Sequence, residues 1–470
     1  MFLLFMAAVI MAKAEPSASC APFRLRLMNH WDNPDGTVER GYAGRSLWKW
    51  EEIPTDQRKS LPRHLCKRYE EYGCLQRKYG INGTVLNNVN AKPSMLKRDM
   101  LQRVARIADV LRPYGIRVYL SANFASPKAL GEVATADPTD ARVQEWWQKK
   151  ADEIYSLIPD FGGFLVKANS EGEPGPADYG RSHAEGANML AEALKRHGGI
   201  VIWRAFVYAP TGDDRASQAY NEFVPLDGQF ADNVILQIKN GPIDFQPREP
   251  VSPLFFAMKR TRMMAELQIT QEYTGHSIHT CFLVPMWHDF FAQLAAQGVQ
   301  LEGVAGVANT GDAENWTANP LALANWYGFG RLACDPTAEP RQIAEDFLRE
   351  NYSRDERFVA PVTDLLLRSH EALVDYMMPM GLHHIFAAGH HYGPEPWCER
   401  EGWREDWLPR YYHRADSIGI GFNRSNHAEP CLKGAQGSNN AAQYPEPLHS
   451  LYNNIETCPE SLLLWFHHVS

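Results

Sequence analysis

The feature that most constrains the fold is a repeated alternation of short apolar segments with helical ones. Eight β-rich runs, each followed by turn residues, lie at 23–33, 81–90, 115–124, 162–171, 199–208, 233–242, 265–275 and 302–311. The segments between them, such as 141–158 and 181–198, carry apolar residues at helical spacing and stop at Gly or Pro. Strands that alternate with helices favour a parallel sheet, and eight such units predict an α/β fold, a (β/α)8 TIM barrel.

The strand rhythm also predicts how the chain is divided. Residues 22–312 are assigned to the barrel, and residues 313–470 to a mostly α-helical C-terminal region. The second assignment depends on the loss of the strand rhythm and on the helical spacing within 340–353 and 358–378.

Residues 1–21 leave two interpretations open. Ten apolar residues at 2–11 and the following "AKAEP" fit a secretory signal, although no basic residues precede them, and the run is too short to span a membrane. The alternative is a remnant of an upstream domain. A signal peptide would make the protein extracellular, whereas a remnant would leave it cytoplasmic.

The net charge limits the kinds of molecule that this chain can bind, and the cysteine pattern bears on disulfides and metal sites. The net charge of −9 excludes a broad basic surface for nucleic acid or an anionic membrane, so we expect neither as a partner. The eight cysteines form no CxxC pair and no zinc spacing, which predicts free thiols. Only Cys66 and Cys74 are close enough in sequence to suggest a local disulfide.

Two histidine pairs, His383-His384 and His390-His391, raise the question of a metal site. Adjacent residues on a regular element do not both face one ion, and no nearby carboxylate has convincing ligand spacing. We therefore expect no metal and no cofactor.

Polar residues follow each apolar run, where the C-terminal ends of barrel strands form the working face. Three carboxylates are candidates for catalysis: Glu171 after run four, Asp244 after run six and Glu272 in run seven. Glycoside hydrolysis uses one carboxyl as proton donor and a second as base or nucleophile. The alternative for any one of them is a salt bridge at the rim, and Glu173 is interpreted as a rim or supporting carboxylate.

Three cations follow three successive runs at the same face: Lys167, Arg204 and Lys239. They could neutralise the carboxylates, or they could bind an anionic group of a substrate. Three tryptophans, Trp31, Trp287 and Trp316, could stack on sugar rings, with core packing as the alternative.

Long motifs from about residue 22 to the end resemble the α-glucuronidases of glycoside hydrolase family 67. They are "NHWDNPDGTVERGYAGRSLW", "VKANSEGEPGP", "WRAFVY", "QIKNGPIDFQPREP", "QEYTGH", "ANWYGFGRLACDP", "MGLHHIFAAGHHYGPEPW", "YYHRADSIGIGFNR" and "NNIETCPESLLLWFHHV". The resemblance implies a barrel followed by a helical region. It also implies release of (4-O-methyl-)glucuronic acid, α-1,2-linked to the terminal xylose of xylo-oligosaccharides, with inversion.

The resemblance also implies roles for the candidate residues. Glu171 takes the position of the general acid, and Asp244 and Glu272 take those of the carboxylates that hold and activate water. Lys167, Arg204 and Lys239 match positions associated with the uronate carboxylate, and Trp31 matches a substrate-packing tryptophan. Family members carry a domain before the barrel and continue beyond "WFHHV", so we expect this chain to be a fragment.

Two other functions stay open from the sequence. One is a different barrel exo-glycosidase, which retains configuration and acts on a neutral or acetamido sugar. The other is a non-catalytic carbohydrate-binding fragment. For partners, we expect glucuronoxylan-derived oligosaccharides, with a homodimer through the C-terminal region as a further hypothesis.

Overall fold

The structure is a computed structural model that describes residues 20–37, 43–56, 58–207, 215–242, 244–276 and 279–377, together with isolated positions at 395, 398, 414–416, 419–420, 456–457 and 467–468. Eight parallel strands pair in chain order, and the eighth pairs with the first to close a barrel. They are β1 (Leu25–His30), β2 (Gly83–Val85), β3 (Arg117–Ser121), β4 (Gly163–Val166), β5 (Ile200–Arg204), β6 (Val234–Lys239), β7 (Met263–Gln268) and β8 (Gly303–Ala308).

Helices surround this barrel and continue after it. They are α1 (Arg63–Lys78), α2 (Arg98–Leu111), α3 (Ser126–Ala129), α4 (Ala141–Leu157), α5 (His183–Lys195), α6 (Arg215–Phe223), α7 (Leu254–Ala257), α8 (Val284–Ala296), α9 (Leu323–Cys334), α10 (Pro340–Asn351) and α11 (Glu356–Met377). Helix α5 begins with a capping box, in which Ser182 and Glu185 each accept the other's backbone N–H. None of the described helices is long and apolar enough to cross a bilayer.

The predicted (β/α)8 barrel is confirmed: seven of the predicted runs contain one strand each, and the remaining one, at 265–275, overlaps β7. Strand β7 begins at Met263, two residues before the predicted start, because the two methionines that open it are also buried. Helices α9, α10 and α11 lie between residues 323 and 377, whereas the division at 312 and the mostly helical character of the whole C-terminal region stay predictions. Three short strands further on, β9 (Arg414–Asp416), β10 (Gly419–Ile420) and β11 (His467–His468), form a small sheet.

Alternation along the strands separates two cores, because successive side chains of a strand point to opposite faces. One set faces the helices and forms the large core, with Trp203 of β5 fully buried. The other set fills the barrel near the ends where the strands begin. Its members are Leu25, Leu27, Val85, Tyr119, Leu165, Ile202, Ile235, Met264 and Ala305.

A disulfide joins Cys20, just before β1, to Cys334 at the end of α9. The prediction of free thiols is therefore wrong for these two residues, which the closed barrel brings together although they are 314 positions apart. Cys66 and Cys74 are free. They lie eight residues apart on one helix, about 12 Å along its axis, which is too far for a disulfide.

Candidate active site

The polar site continues the inward-facing set of side chains toward the C-terminal ends of the strands. Two residues beyond the apolar layer, seven of the eight strands are followed on the same inner face by a polar side chain, whereas β8 places Val307 there. The polar residues are Asn29, Asn87, Ser121, Lys167, Arg204, Gln237 and Glu266. Five of them, Asn29, Asn87, Arg204, Gln237 and Glu266, line a narrow recess together with Leu165 of the apolar layer. The mouth of the barrel is thus a polar cavity on an apolar floor.

A buried ion pair lies at the base of this recess. Arg204 donates two hydrogen bonds to Glu266, from Nε at 2.8 Å and from Nη2 at 2.6 Å, and Gln237 donates a third at 2.5 Å. Burial alone would raise the pKa of Glu266, but the charges of Arg204 and Lys239 and these hydrogen bonds lower it. Glu266 therefore stays ionised, and it fixes the plane of the Arg204 guanidinium.

Lys239 and Asp244 form a second buried pair, between the end of β6 and the loop after it. The Lys239 ammonium lies 3.4 Å from the ring centroid of Phe206 and 4.6 Å from that of Phe245. Burial lowers the pKa of Lys239, opposed by the charge of Asp244. The Tyr273 hydroxyl donates to the other oxygen of Asp244 at 3.3 Å, so the β6 and β7 loops meet at this carboxylate.

Lys167 and Glu171 form the third pair, after β4. Lys167 Nζ lies 2.5 Å from Glu171 Oε2 and 2.8 Å from Asn90 Oδ1. The lysine side chain is 2% exposed and that of Glu171 is 39% exposed, so the carboxyl points from a buried cation toward the open mouth. Glu171 has a left-handed backbone with φ of 50°. Such conformations cost energy in non-glycine residues and cluster at functional sites.

The remaining two carboxylates differ in their surroundings. Glu272 is buried and accepts a hydrogen bond from Gln268 at 2.8 Å. Glu173 accepts one from Asn123 at 3.2 Å, and burial raises its pKa while Lys167 opposes the rise. The interpretation of Glu173 as a rim or supporting carboxylate stays a prediction.

The loop after β1 forms one wall of the mouth. Trp31 is partly exposed and lines the same recess as Arg204 and Glu266. The next residue, Asp32, is buried and accepts hydrogen bonds from Ser46 Oγ and from Trp50 Nε1, the latter at 2.9 Å. Burial raises the pKa of Asp32 to about 6, against these hydrogen bonds. The loop that carries Trp31 is thus fastened by a buried carboxylate.

Two of the three candidate platform tryptophans belong to the core instead. Trp287 is fully buried on α8, where it packs against Phe329. Trp316 is 2% exposed, and the Arg68 guanidinium covers its ring at 3.4 Å. The sugar-platform interpretation is therefore wrong for both, because neither ring offers a free face.

All of the cations and carboxylates singled out in the sequence lie at this end of the barrel, and several of their charges interact. Arg204 interacts electrostatically with Glu171 and Asp244, and Lys239 interacts with Glu171. Sequence reasoning missed Glu266, Gln237 and Tyr273. The signal that could have found Glu266 is its position two residues before Gln268, on the inner face of β7.

Within the described part of the chain, no group of three or more His, Cys, Asp or Glu side chains is arranged to hold a metal ion. The two histidine pairs at 383–384 and 390–391 lie outside the described residues.

Fold and site together define the class of protein: a (β/α)8 barrel whose C-terminal mouth gathers carboxylates, as barrel glycosidases do, and pairs them with buried cations. Sequence comparison gives the family. Residues 9–316 match the glycosyl hydrolase family 67 middle domain, and residues 317–470 match the family 67 C-terminus. The chain belongs to glycoside hydrolase family 67.

Relatives of known name agree with this family. "Probable alpha-glucuronidase A" of Neosartorya fischeri is 42% identical over 95% of this chain and 53% of its own length. "Alpha-glucuronidase A" of Emericella nidulans is 42% identical over 95% of this chain and 54% of its own length. The "Alpha-glucuronidase" of Hypocrea jecorina is 40% identical over 97% of this chain and 54% of its own length. The chain therefore spans about half the length of these relatives.

Solved structures show weaker similarity. A family GH115 4-O-methyl-α-glucuronidase with specificity for decorated arabinogalactans is 12% identical, with a TM-score of 0.46 over 77% of this chain and 46% of that chain. A GH138 enzyme targeting pectin rhamnogalacturonan II is 12% identical, with a TM-score of 0.48 over 79% of this chain and 47% of that chain. Both TM-scores are below 0.5, so neither adds to the fold that the strand pairing shows directly.

Proposed function

We propose that this chain is an α-glucuronidase that releases (4-O-methyl-)glucuronic acid, α-1,2-linked to the terminal xylose of xylo-oligosaccharides, by single displacement with inversion. The observation that carries the proposal is the set of three buried cations, Lys167, Arg204 and Lys239, in one mouth with catalytic-type carboxylates. A glycosidase for a neutral sugar has no need to bury three cations, whose desolvation is costly.

Counted over the described residues, Lys167 and Arg204 keep donors for a substrate carboxylate. Lys167 uses two of its three N–H groups, toward Asn90 and Glu171, and the guanidinium of Arg204 uses only Nε and Nη2 for Glu266. A uronate between these residues and Lys239 would receive charge-assisted hydrogen bonds, which are stronger than neutral ones. Trp31, beside Arg204 in the recess, would pack against the sugar ring.

The carboxylates divide the chemistry between them. Glu171 would protonate the glycosidic oxygen as the bond to the anomeric carbon breaks. Asp244 and Glu272 would hold a water on the opposite face and take its proton as it attacks that carbon. In a single displacement the acid and base carboxyls are expected about 6.5–9.5 Å apart, with room for the water.

The contact between Lys167 and Glu171 bears on the acid step. A cation next to a carboxyl favours its ionised form, whereas a general acid must carry a proton. A uronate that binds Lys167 brings a negative charge, which offsets the cation and favours a proton on Glu171. A substrate without the carboxylate would leave Lys167 to favour the ionised form of Glu171. The proposal therefore links uronate specificity to catalysis, because only a uronate favours the protonated acid.

A substrate panel tests the proposal. The chain is incubated with an aldouronic acid oligosaccharide, the matching neutral α-glucoside and an acetamido glycoside, and released monosaccharide is quantified. We expect release of the uronic acid at a kcat/KM at least about 100-fold above that of the neutral analogue, because two or more charge-assisted hydrogen bonds are lost with the carboxylate. Comparable hydrolysis of the neutral sugar would favour a different exo-glycosidase. Binding in calorimetry without any release would favour a non-catalytic carbohydrate-binding protein.

A further inference from the structure

The loop after β6 is closed by a carboxylate that has no part in the chemistry described above. Glu249 Oε1 accepts two backbone hydrogen bonds, from the N–H of Asp244 at 3.1 Å and from the N–H of Gln246 at 2.6 Å. A Cβ atom at Gly241 would overlap the Glu249 side chain, so the glycine leaves the space that this carboxylate occupies. Glu249 therefore lies under the turn that carries Asp244.

The backbone conformation between these two N–H donors allows both of them to reach Glu249. Phe245 has a left-handed φ of 51°, unusual for a bulky residue. Its conformation turns the N–H groups on either side of it toward the same oxygen. The ring of Phe245 then covers Lys239, the side-chain partner of Asp244. One strained residue thus connects the backbone contact to the side-chain contact.

The segment that carries Glu249 is itself anchored. His370 of α11 donates to the Pro247 carbonyl at 2.6 Å, and Arg248 pairs with Glu371 of the same helix. At the other end of the loop, the Ser252 N–H donates to the Asn240 carbonyl at 2.8 Å. Glu249 is therefore held from both sides while it holds the turn of Asp244.

We propose that Glu249 is a positioning residue for Asp244: it fixes the backbone from which the Asp244 carboxylate reaches the attacking water. The role of Asp244 in this statement rests on the proposed function. Lys239 and Tyr273 hold the side chain of Asp244, but side-chain partners cannot define its place if the backbone turn moves. A displacement of about 1 Å at a reacting group can reduce a rate about 100-fold.

The test uses two variants at Glu249 and one matched control. Glu249→Ala removes the acceptor, whereas Glu249→Gln keeps an amide oxygen that can accept the same two N–H groups. The control is Asp227→Ala. Asp227 also accepts backbone N–H groups, from Lys259, Arg260 and Thr261, but at the opposite end of the barrel, just before β7.

Kinetics give the first readout. We expect Glu249→Ala to lower kcat about 100-fold with KM within about threefold, and Glu249→Gln to recover most of the rate. The loss should be equal for a xylo-oligosaccharide and for an aryl uronide with a good leaving group, because both need the water activated. Asp227→Ala should leave kcat within about twofold. A loss with Asp227→Ala as large as with Glu249→Ala, or no loss with Glu249→Ala, would overturn the proposal.

Hydrogen exchange gives a readout that does not depend on turnover. We expect amides 244 and 246 to exchange at least about tenfold faster in Glu249→Ala than in the wild type, and near the wild-type rate in Glu249→Gln. Unchanged exchange would refute the positioning role even if the wild-type chain released no uronate. If the wild-type chain released no uronate but amides 244 and 246 still exchanged faster in Glu249→Ala, the contact would be supported and the proposed function refuted.

Discussion

Asp32, the buried carboxylate that fastens the Trp31 loop, should make the stability of this protein depend on pH. Its pKa is raised from an ordinary value of 3.8 to about 6, with burial as the main cause. A carboxyl whose folded pKa is raised binds its proton more tightly in the folded state. The stabilisation is fully present below about pH 4 and is lost as the pH rises through about 6. At 1.36 kcal/mol per tenfold change in acidity, the loss is about 3 kcal/mol.

The substitution Asp32→Asn isolates this effect. An asparagine can accept the Trp50 N–H with its oxygen and donate its amide to Ser46 Oγ, which itself donates to the Trp48 carbonyl. The variant is then close to a permanently protonated Asp32. We expect equal unfolding free energies near pH 4, and a variant more stable by up to about 3 kcal/mol at pH 7.

Urea unfolding followed by tryptophan fluorescence at pH 4, 5, 6 and 7 measures this difference. Other titrating groups are common to both proteins, so they cancel when the variant is compared with the wild type at each pH. A difference that does not change with pH would show that Asp32 does not titrate in this range. A difference that shrinks as the pH rises would contradict the sign of the shift and the burial argument behind it.

Three further predictions concern single side chains. Glu171→Gln should lower the rate on natural xylo-oligosaccharides about 1000-fold but spare an aryl uronide with a good leaving group, because only the natural leaving oxygen needs a proton; near-normal release from the oligosaccharide would contradict the acid role. Lys167→Met should reduce the ratio of kcat/KM for the uronate to that for the neutral glucoside about 10-fold to 100-fold, by loss of a charge-assisted hydrogen bond, and an unchanged ratio would remove Lys167 from the uronate site. Replacing Cys20 and Cys334 by Ala should lower the unfolding free energy by about 2–5 kcal/mol in denaturant titration, whereas Cys66→Ala, at a free half-buried thiol, should leave it within about 0.5 kcal/mol; equal effects would argue against the disulfide.

The barrel could be predicted from the sequence because its signal is local and repeated. Each strand is a short apolar run, and each run passes from apolar to polar residues at the working face. Lys167, Arg204 and Lys239 stand out because a cation is costly in a strand that is otherwise buried. When the barrel closes, the C-terminal ends of its strands come together. The candidate site residues could therefore be placed at one mouth without predicting any individual contact.

What escaped prediction depends on contacts between distant residues. The pairing of Cys20 with Cys334 is set by where α9 packs beside the start of β1, which no spacing rule reports. Trp287 and Trp316 follow barrel runs as Trp31 does, but only the packing of helices decides which ring keeps an open face. Glu249 escaped because its role lies in two backbone hydrogen bonds rather than in its side-chain neighbours along the sequence.

The most direct test of the central claim follows the first turnover by proton NMR. The protein is mixed with an aldouronic acid oligosaccharide, and the anomeric signals of released glucuronate are recorded before mutarotation equilibrates them. Single displacement at this site predicts that the β-anomer appears first and the α-anomer grows later. Initial release of the α-anomer would contradict a water held by Asp244 and Glu272 opposite Glu171, and absence of any free uronate would contradict the proposed activity itself.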